Sequence, residues 1–130
     1  MIEKNIQIED LKDIFNEYKN LYNPIISDFT KIYVYTLSNK VTGFVVFDVI
    51  YDRCDIVDIF VSEKYRRKHI AQNLLNEIIK DYKINNMTLE VSKNNISAIK
   101  FYETMGFKKV AIRKNYYKDS DGLLMLKEIR

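Results

Sequence analysis

The stretch of this chain best equipped for chemistry is Val61-Ser62-Glu63-Lys64-Tyr65-Arg66-Arg67-Lys68-His69-Ile70-Ala71. An apolar run ends there, a basic polar loop follows, and a strongly amphipathic helical pattern begins. A helix N-terminus presents unpaired N–H groups and a partial positive charge. Arg66, Arg67 and Lys68 add cations at the same end. Such a junction can hold a phosphate or pyrophosphate, and it can equally be a solvated basic turn. Other chemistries lack the residues they need. There is one cysteine, Cys54, and one histidine, His69. That excludes an intramolecular disulfide, and no metal site is expected. His69 has no evident partners for Ser-His-Asp chemistry, and Cys54 reads as a small buried hydrophobe.

The elements that position this junction follow from periodicity. Ile2, Ile6 and Ile8 suggest a short strand. Residues 9–21 carry Leu11, Ile14, Phe15, Tyr18 and Leu21 at helical spacing, ended by Asn23-Pro24. Three strand-like runs come next, at 31–37, 41–51 and 54–61. Ile70, Ala71, Leu74, Leu75, Ile78, Ile79 and Tyr82 then form a core-facing helical stripe. Residues 87–91 predict a strand. Asn95 predicts the N-cap of a helix bearing Ala98, Ile99, Tyr102 and Met105, with Gly106 as its C′ stop. Residues 107–117 and 123–129 predict two last strands joined through Asp119-Ser120-Asp121-Gly122. The order β-α-β-β-β-α-β-α-β-β predicts a mixed α/β (α+β) sheet: an antiparallel meander, then a parallel β-α-β crossover.

Composition bounds the function. The chain has 130 residues, which suits a single domain, with no repeat or linker. Its net charge is +3, too weak alone to argue for nucleic acid. The first residues lack a signal peptide's apolar stretch, and the longest apolar run, 41–51, is too short to span a membrane. A cytoplasmic protein with no membrane partner is expected. Monomer and homodimer remain equally open.

Four ordered motifs resemble the GNAT acetyltransferase superfamily. Arg66-Arg67-Lys68-His69-Ile70-Ala71 resembles its Arg/Gln-x-x-Gly-x-Gly/Ala loop. Leu89-Glu90-Val91, Asn95-Ile96-Ser97-Ala98, Tyr102 and Gly106-Phe107 resemble its Leu-Glu-Val…Asn-x-x-Ala…Tyr…Gly-Phe pattern. Arg113-Lys114-Asn115-Tyr116-Tyr117 resembles the Arg-x-Asn-Tyr-Tyr of the RimI-like branch, the ribosomal-protein-alanine N-acetyltransferases. The resemblance runs from about Val41 to the C-terminus.

It implies a mostly antiparallel sheet with one splayed parallel strand pair and helices on both faces. It implies acetyl-CoA as donor and direct transfer to an amine. The splay lies between residues 54–61 and 87–91. Backbone groups of Ile59, Phe60 and Val61 pair with the pantetheine arm as an added strand does. Arg66, Arg67, Lys68, His69, Ile70, Ala71 and Gln72 hold the pyrophosphate, and Asn95 reaches the pantetheine. Glu90 takes the role of base, against the plainer reading of a strand-end ion pair. Tyr102 protonates the leaving thiolate, against the plainer reading of a core aromatic. Tyr116 and Tyr117 lie on the strand bordering the acceptor groove, or simply pack a strand edge.

Two departures stand out. His69 and Arg67 occupy positions where the family usually has glycine. Either the loop keeps its turn with the imidazole outward, or binding of coenzyme A is impaired. The stretch between Leu21 and Thr30 is short and lacks the branch's Pro-Trp element. The resemblance implies a protein or peptide amine as acceptor, a ribosomal protein among the candidates. A lysine, polyamine or other small amine, and a non-catalytic module that binds coenzyme A, are the alternatives.

Overall fold

The computed structural model describes residues 1–4 and 6–130. Seven strands form one sheet: β1 (Ile2–Glu3), β2 (Thr30–Leu37), β3 (Lys40–Ile50), β4 (Arg53–Val61), β5 (Asn86–Ser92), β6 (Lys108–Arg113) and β7 (Gly122–Glu128). Their spatial order is β1-β2-β3-β4-β5-β7-β6. Every neighbouring pair is antiparallel except β4 and β5, which run parallel. Among the described residues three α-helices complete the fold: α1 (Lys12–Tyr18), α2 (Ile70–Asp81) and α3 (Ile96–Thr104). Helix α2 is the crossover between the parallel strands, so the mixed, mostly antiparallel sheet is the one the element order predicts.

Strand alternation divides the core in two. Val45 and Phe47 of β3 pack with Leu74, Leu75 and Ile78 of α2 and Ile99 of α3. Phe44 and Val46, which point the other way, pack with Leu11 and with Ile14 and Phe15 of α1. Helix α1 therefore covers one face over β2 and β3, while α2 and α3 cover the other. Each buried Leu or Ile on these stripes contributes about 1.5–3 kcal/mol.

Two irregularities shape the site. β4 and β5 pair only from Arg53↔Asn86 to Ile56↔Leu89. Beyond that rung β4 follows β3 to Val61 and β5 follows β7 to Ser92, so the strands part. The β5-facing edge of β4 is left without a strand partner past Ile56. The β3–β4 register also slips between Val46↔Asp58 and Phe47↔Ile56, leaving Val57 bulged. A bulge reverses the alternation of side chains. Cys54 and Ile56 face the α2 core before it, and Phe60 faces the α1 core after it.

Several expected boundaries are corrected. β1 spans only Ile2–Glu3, and Ile6 and Ile8 lie outside it. The helix expected over 9–21 is a 3-10 turn, Ile8–Leu11, followed by α1, Lys12–Tyr18. It ends where Lys19 becomes extended (φ −161°) and Leu21 left-handed (φ 60°). The strand expected over 107–117 stops at Arg113, and Asn115 turns left-handed at φ 55°. Tyr116 and Tyr117 thus sit in a turn rather than on a strand. That turn is closed by the Tyr117 N–H donating to the Ser120 carbonyl at 3.0 Å and the Asn115 N–H donating to the Asp121 carboxylate at 2.9 Å. Among the described residues, no helix is long and apolar enough to cross a membrane.

Candidate active site

Where β4 and β5 part, a cleft of about 1590 Å³ opens. Its walls come from β4 (Ile59, Phe60, Val61), the loop and first turn of α2 (Arg66, Arg67, His69, Ile70, Ala71, Gln72), β5 (Glu90), α3 with its cap (Asn95, Tyr102), and the late turn (Tyr116, Tyr117). Lys68 alone of the expected site residues does not line it and points to solvent.

At one end the backbone does the work. Arg67 and His69 are both left-handed, at φ 67° and 59°. A side chain there costs about 1–2 kcal/mol relative to glycine. The turn is nevertheless kept, with His69 exposed. The Asn73 N–H makes the first α2 bond, to the His69 carbonyl at 2.9 Å. The N–H groups of Ile70, Ala71 and Gln72 therefore have no acceptor within the helix, and no side chain caps them. Arg66 folds back against β4: its Nε donates to the Val61 carbonyl at 3.0 Å, and its guanidinium lies 5.5 Å from the Phe60 ring. An uncapped helix N-terminus facing a cleft can hold an anion.

At the other end side chains do the work. Glu90 points to the α1 side of the sheet, because its neighbours Leu89 and Val91 belong to the α2 core. Arg113 Nε lies 3.2 Å from Glu90 Oε1, while Oε2 is buried with no partner. Ion pair and free acceptor thus coexist on one carboxylate. The Arg113 guanidinium also lies 5.2 Å from the Tyr116 ring. That ring rests on Gly122, where a Cβ would approach Tyr116 Cβ to 2.8 Å. Tyr102, from the inner side of α3, is half-buried. Burial first, then the nearby Asp58 carboxylate and Tyr117, push its phenol up to about 12. Tyr102 is therefore a neutral donor across the physiological range. Burial also raises Tyr117, helped by Tyr116, Glu90 and Asp58. Asn95 caps α3 as expected, its Oδ1 accepting from the Ala98 N–H at 3.3 Å.

Residue-by-residue reading missed a second cluster. The hydroxyls of Tyr18 and Tyr22, at and beyond the end of α1, donate to Asp58 Oδ1 and Oδ2 at 2.6 and 2.5 Å. Burial and the Asp58 carboxylate raise both phenols. Glu17 accepts from the Ser62 hydroxyl at 2.7 Å and the Glu63 N–H at 3.1 Å, which ties α1 to the start of the basic loop. A signal was present in the spacing of β4: Cys54 and Ile56, then Ile59 and Val61, keep steps of two with one step of three between them. That phase change is the bulge, and it exposes Asp58 to the cleft. Among the described residues, no group of three or more His, Cys, Asp or Glu side chains is placed to hold a metal ion.

The comparisons with known proteins agree with this geometry. The model of the acetyltransferase (GNAT) family matches residues 4–107. The chain is 32% identical over 90 residues to the ribosomal protein bS18-alanine N-acetyltransferase of Escherichia coli K12, covering 67% of this chain and 61% of that protein. It is 43% identical over 75 residues to an N-alpha-acetyltransferase of Saccharolobus solfataricus, covering 55% of this chain and 45% of that one. The matched region thus spans about three fifths or less of the length of these curated relatives. A crystal structure of the ribosomal-protein-S18-alanine N-acetyltransferase from Escherichia coli superposes with a TM-score of 0.82 at 22% identity, over 99% of this chain and 93% of that one. A GNAT family acetyltransferase from Elizabethkingia anophelis, crystallised with acetyl-CoA bound, superposes with a TM-score of 0.75 at 20% identity, over 99% and 97% of the two chains. The family match runs through both the parted parallel strands and the helix N-terminus at their mouth: the chain belongs to the GNAT acetyltransferase family.

Proposed function

We propose that the chain, a single domain over residues 1–130, is an acetyl-CoA-dependent N-acetyltransferase acting on the α-amine of a protein N-terminus, of the ribosomal-protein-alanine kind. The observation that carries this reading is the joining, in one cleft, of an uncapped helix N-terminus to a carboxylate whose inner oxygen has no partner. The printed names of the sequence relatives support the acceptor class, and the acetyl-CoA in the Elizabethkingia neighbour supports the donor. The cytoplasm is the proposed setting, with no membrane or nucleic-acid partner.

The residues present fit the donor. Its pyrophosphate suits the N–H groups of Ile70, Ala71 and Gln72, with Arg66, Arg67 and His69 around them. The unpaired edge of β4 at Ile59, Phe60 and Val61 suits the amides of the pantetheine arm. Asn95 keeps its Nδ2 donor free beside the cap it makes with Oδ1.

Acetyl-CoA supplies the activated acetyl group as a thioester. Glu90 Oε2 takes a proton from the acceptor's ammonium, directly or through one water. The freed nitrogen lone pair forms the C–N bond as the C–S bond breaks, Tyr102 gives its proton to the leaving sulfur, and the second proton on the acylated nitrogen is lost to solvent, which leaves the neutral amide. Solvent restores Tyr102 and relieves Glu90 of its proton. Arg113 holds Oε1 throughout, which aims Oε2 at the cleft. Tyr116 and Tyr117 form an aromatic wall for the acceptor chain.

Calorimetric titration with acetyl-CoA and desulfo-CoA tests the first half of this reading, and mass spectrometry of the products tests the second. Micromolar binding of both, followed by acetylation of the α-amine of an Ala-terminated peptide, is the expected result. Binding with transfer only to a lysine side chain or polyamine overturns the acceptor assignment. Absence of binding at millimolar donor overturns the enzyme reading.

A further inference from the structure

The gap between the diverging strands has a carboxylate on each side. The last paired rung is Ile56↔Leu89. On β5 the next residue is Glu90, which turns to the α1 side. On β4 the next residue, Val57, is bulged out of register, so Asp58 rather than Val57 points to that side at the same level. Both carboxylates line the cleft. Asp58 differs from Glu90 in its company. Glu90 has a cation, Arg113, whereas among the described residues Asp58 has no ion-pair partner. Its two oxygens accept only the neutral hydroxyls of Tyr18 and Tyr22. A carboxylate has about four acceptor sites, so two remain. Leaving a half-buried charge without a counter-ion is costly, and the cost is removed when a cation arrives.

Resting on the acetyltransferase reading above, we propose that Asp58 is the acceptor's ammonium anchor: it holds the incoming primary amine as a cation across the gap from Glu90, which then removes the proton. The phenols of Tyr18 and Tyr22 fix the carboxylate so that its free sites face the cleft. The site therefore selects acceptors that are protonated before they react. It does so with the end of α1, which supplies Tyr18 and leads to Tyr22.

The test is equilibrium binding. Wild type and Asp58→Asn, each saturated with desulfo-CoA, are titrated with an Ala-terminated peptide and with its N-acetylated counterpart. Asparagine keeps the shape while removing the charge: its Oδ1 accepts from one tyrosine and its Nδ2 donates to the hydroxyl oxygen of the other. Wild type is expected to prefer the free amine. Asp58→Asn is expected to weaken that peptide about ten- to a hundredfold, the worth of one charged hydrogen bond. Affinity for desulfo-CoA and for the acetylated peptide is expected to stay within about threefold, well inside one tenfold step. Asp58→Ser repeats the charge loss in a smaller side chain, and thermal melting of both variants reports on the fold. Equal amine binding by wild type and Asp58→Asn overturns the proposal. So does a parallel loss of amine, desulfo-CoA and melting temperature, which marks a merely structural carboxylate. Amine binding that depends on Asp58 without any acetyl transfer in wild type leaves the anchor standing and refutes the transferase reading instead.

Discussion

At one end of the cleft, residues 66–72 offer an anion the N–H groups of a helix start, and no single side chain carries the task. At the other, the side chains of Glu90, Asp58, Tyr102 and Tyr117, from β5, β4, α3 and the late turn, meet on one cleft. The first is a backbone site, so it tolerates unusual residues: His69 and Arg67 stand in left-handed positions and the turn survives. The second is a side-chain site, held by Arg113 on Glu90 and by two tyrosines on Asp58. Change of residue type should therefore be cheap at the anion end unless it alters the backbone, and costly at the amine end even when shape is kept.

The largest effect belongs to Glu90→Gln, which removes the proposed base and keeps the volume. Acetyl transfer is expected to fall about 10²–10⁴-fold, with desulfo-CoA affinity unchanged, as stopped-flow rates and calorimetry can check. Next comes a paired change at position 69. His69→Val puts a β-branched side chain at φ 59°, and at least a tenfold loss of desulfo-CoA affinity is expected. His69→Gly fits the same turn, and affinity within about threefold of wild type is expected. An equal loss in both variants would show that the imidazole itself binds, which contradicts a backbone site.

A smaller effect comes with alkali. Burial pushes both Tyr102 and Cys54 up to about 12. The folded chain therefore keeps protons that the unfolded chain releases near pH 8.5–10, the ordinary values of about 8.5 for Cys and 10 for Tyr. Their contribution to stability is complete below that range and is lost as pH rises toward 12. Melting temperature should decline from about pH 9 upward, and Tyr102→Phe should flatten part of that slope. Activity limited by Tyr102 as an acid should not fall over the neutral range. The smallest effect is Lys68→Ala, within about twofold in donor affinity, because Lys68 points away from the cleft and a solvated charge contributes little.

Sequence reading was strong where a local rule decides the outcome. Asn95 as a cap and Gly106 beyond the end of α3, at φ 94°, follow from what those residue types do at helix ends. The α2 stripe and the parallel crossover follow from periodicity and element order. It failed where tertiary context decides. In an unbroken strand Asp58 would share the α2-core face of Cys54 and Ile56, and only the Val57 bulge turns it to the other side. Tyr116 and Tyr117 extend an apparently continuous strand until Asn115 turns left-handed and the Tyr116 ring settles on Gly122. Arg113 meets Glu90 only because the sheet order sets β7 between β5 and β6, which no local pattern records.

The measurement that bears most directly on the account is the position of the acetyl group after reaction. Wild type and Glu90→Gln are each incubated with acetyl-CoA and an Ala-terminated peptide that also carries a lysine, and the product is mapped by fragmentation mass spectrometry. One acetyl group on the α-amine with wild type, and at most trace product with Glu90→Gln, is the predicted result. Acetylation that persists in Glu90→Gln, or that falls on the lysine alone, contradicts it.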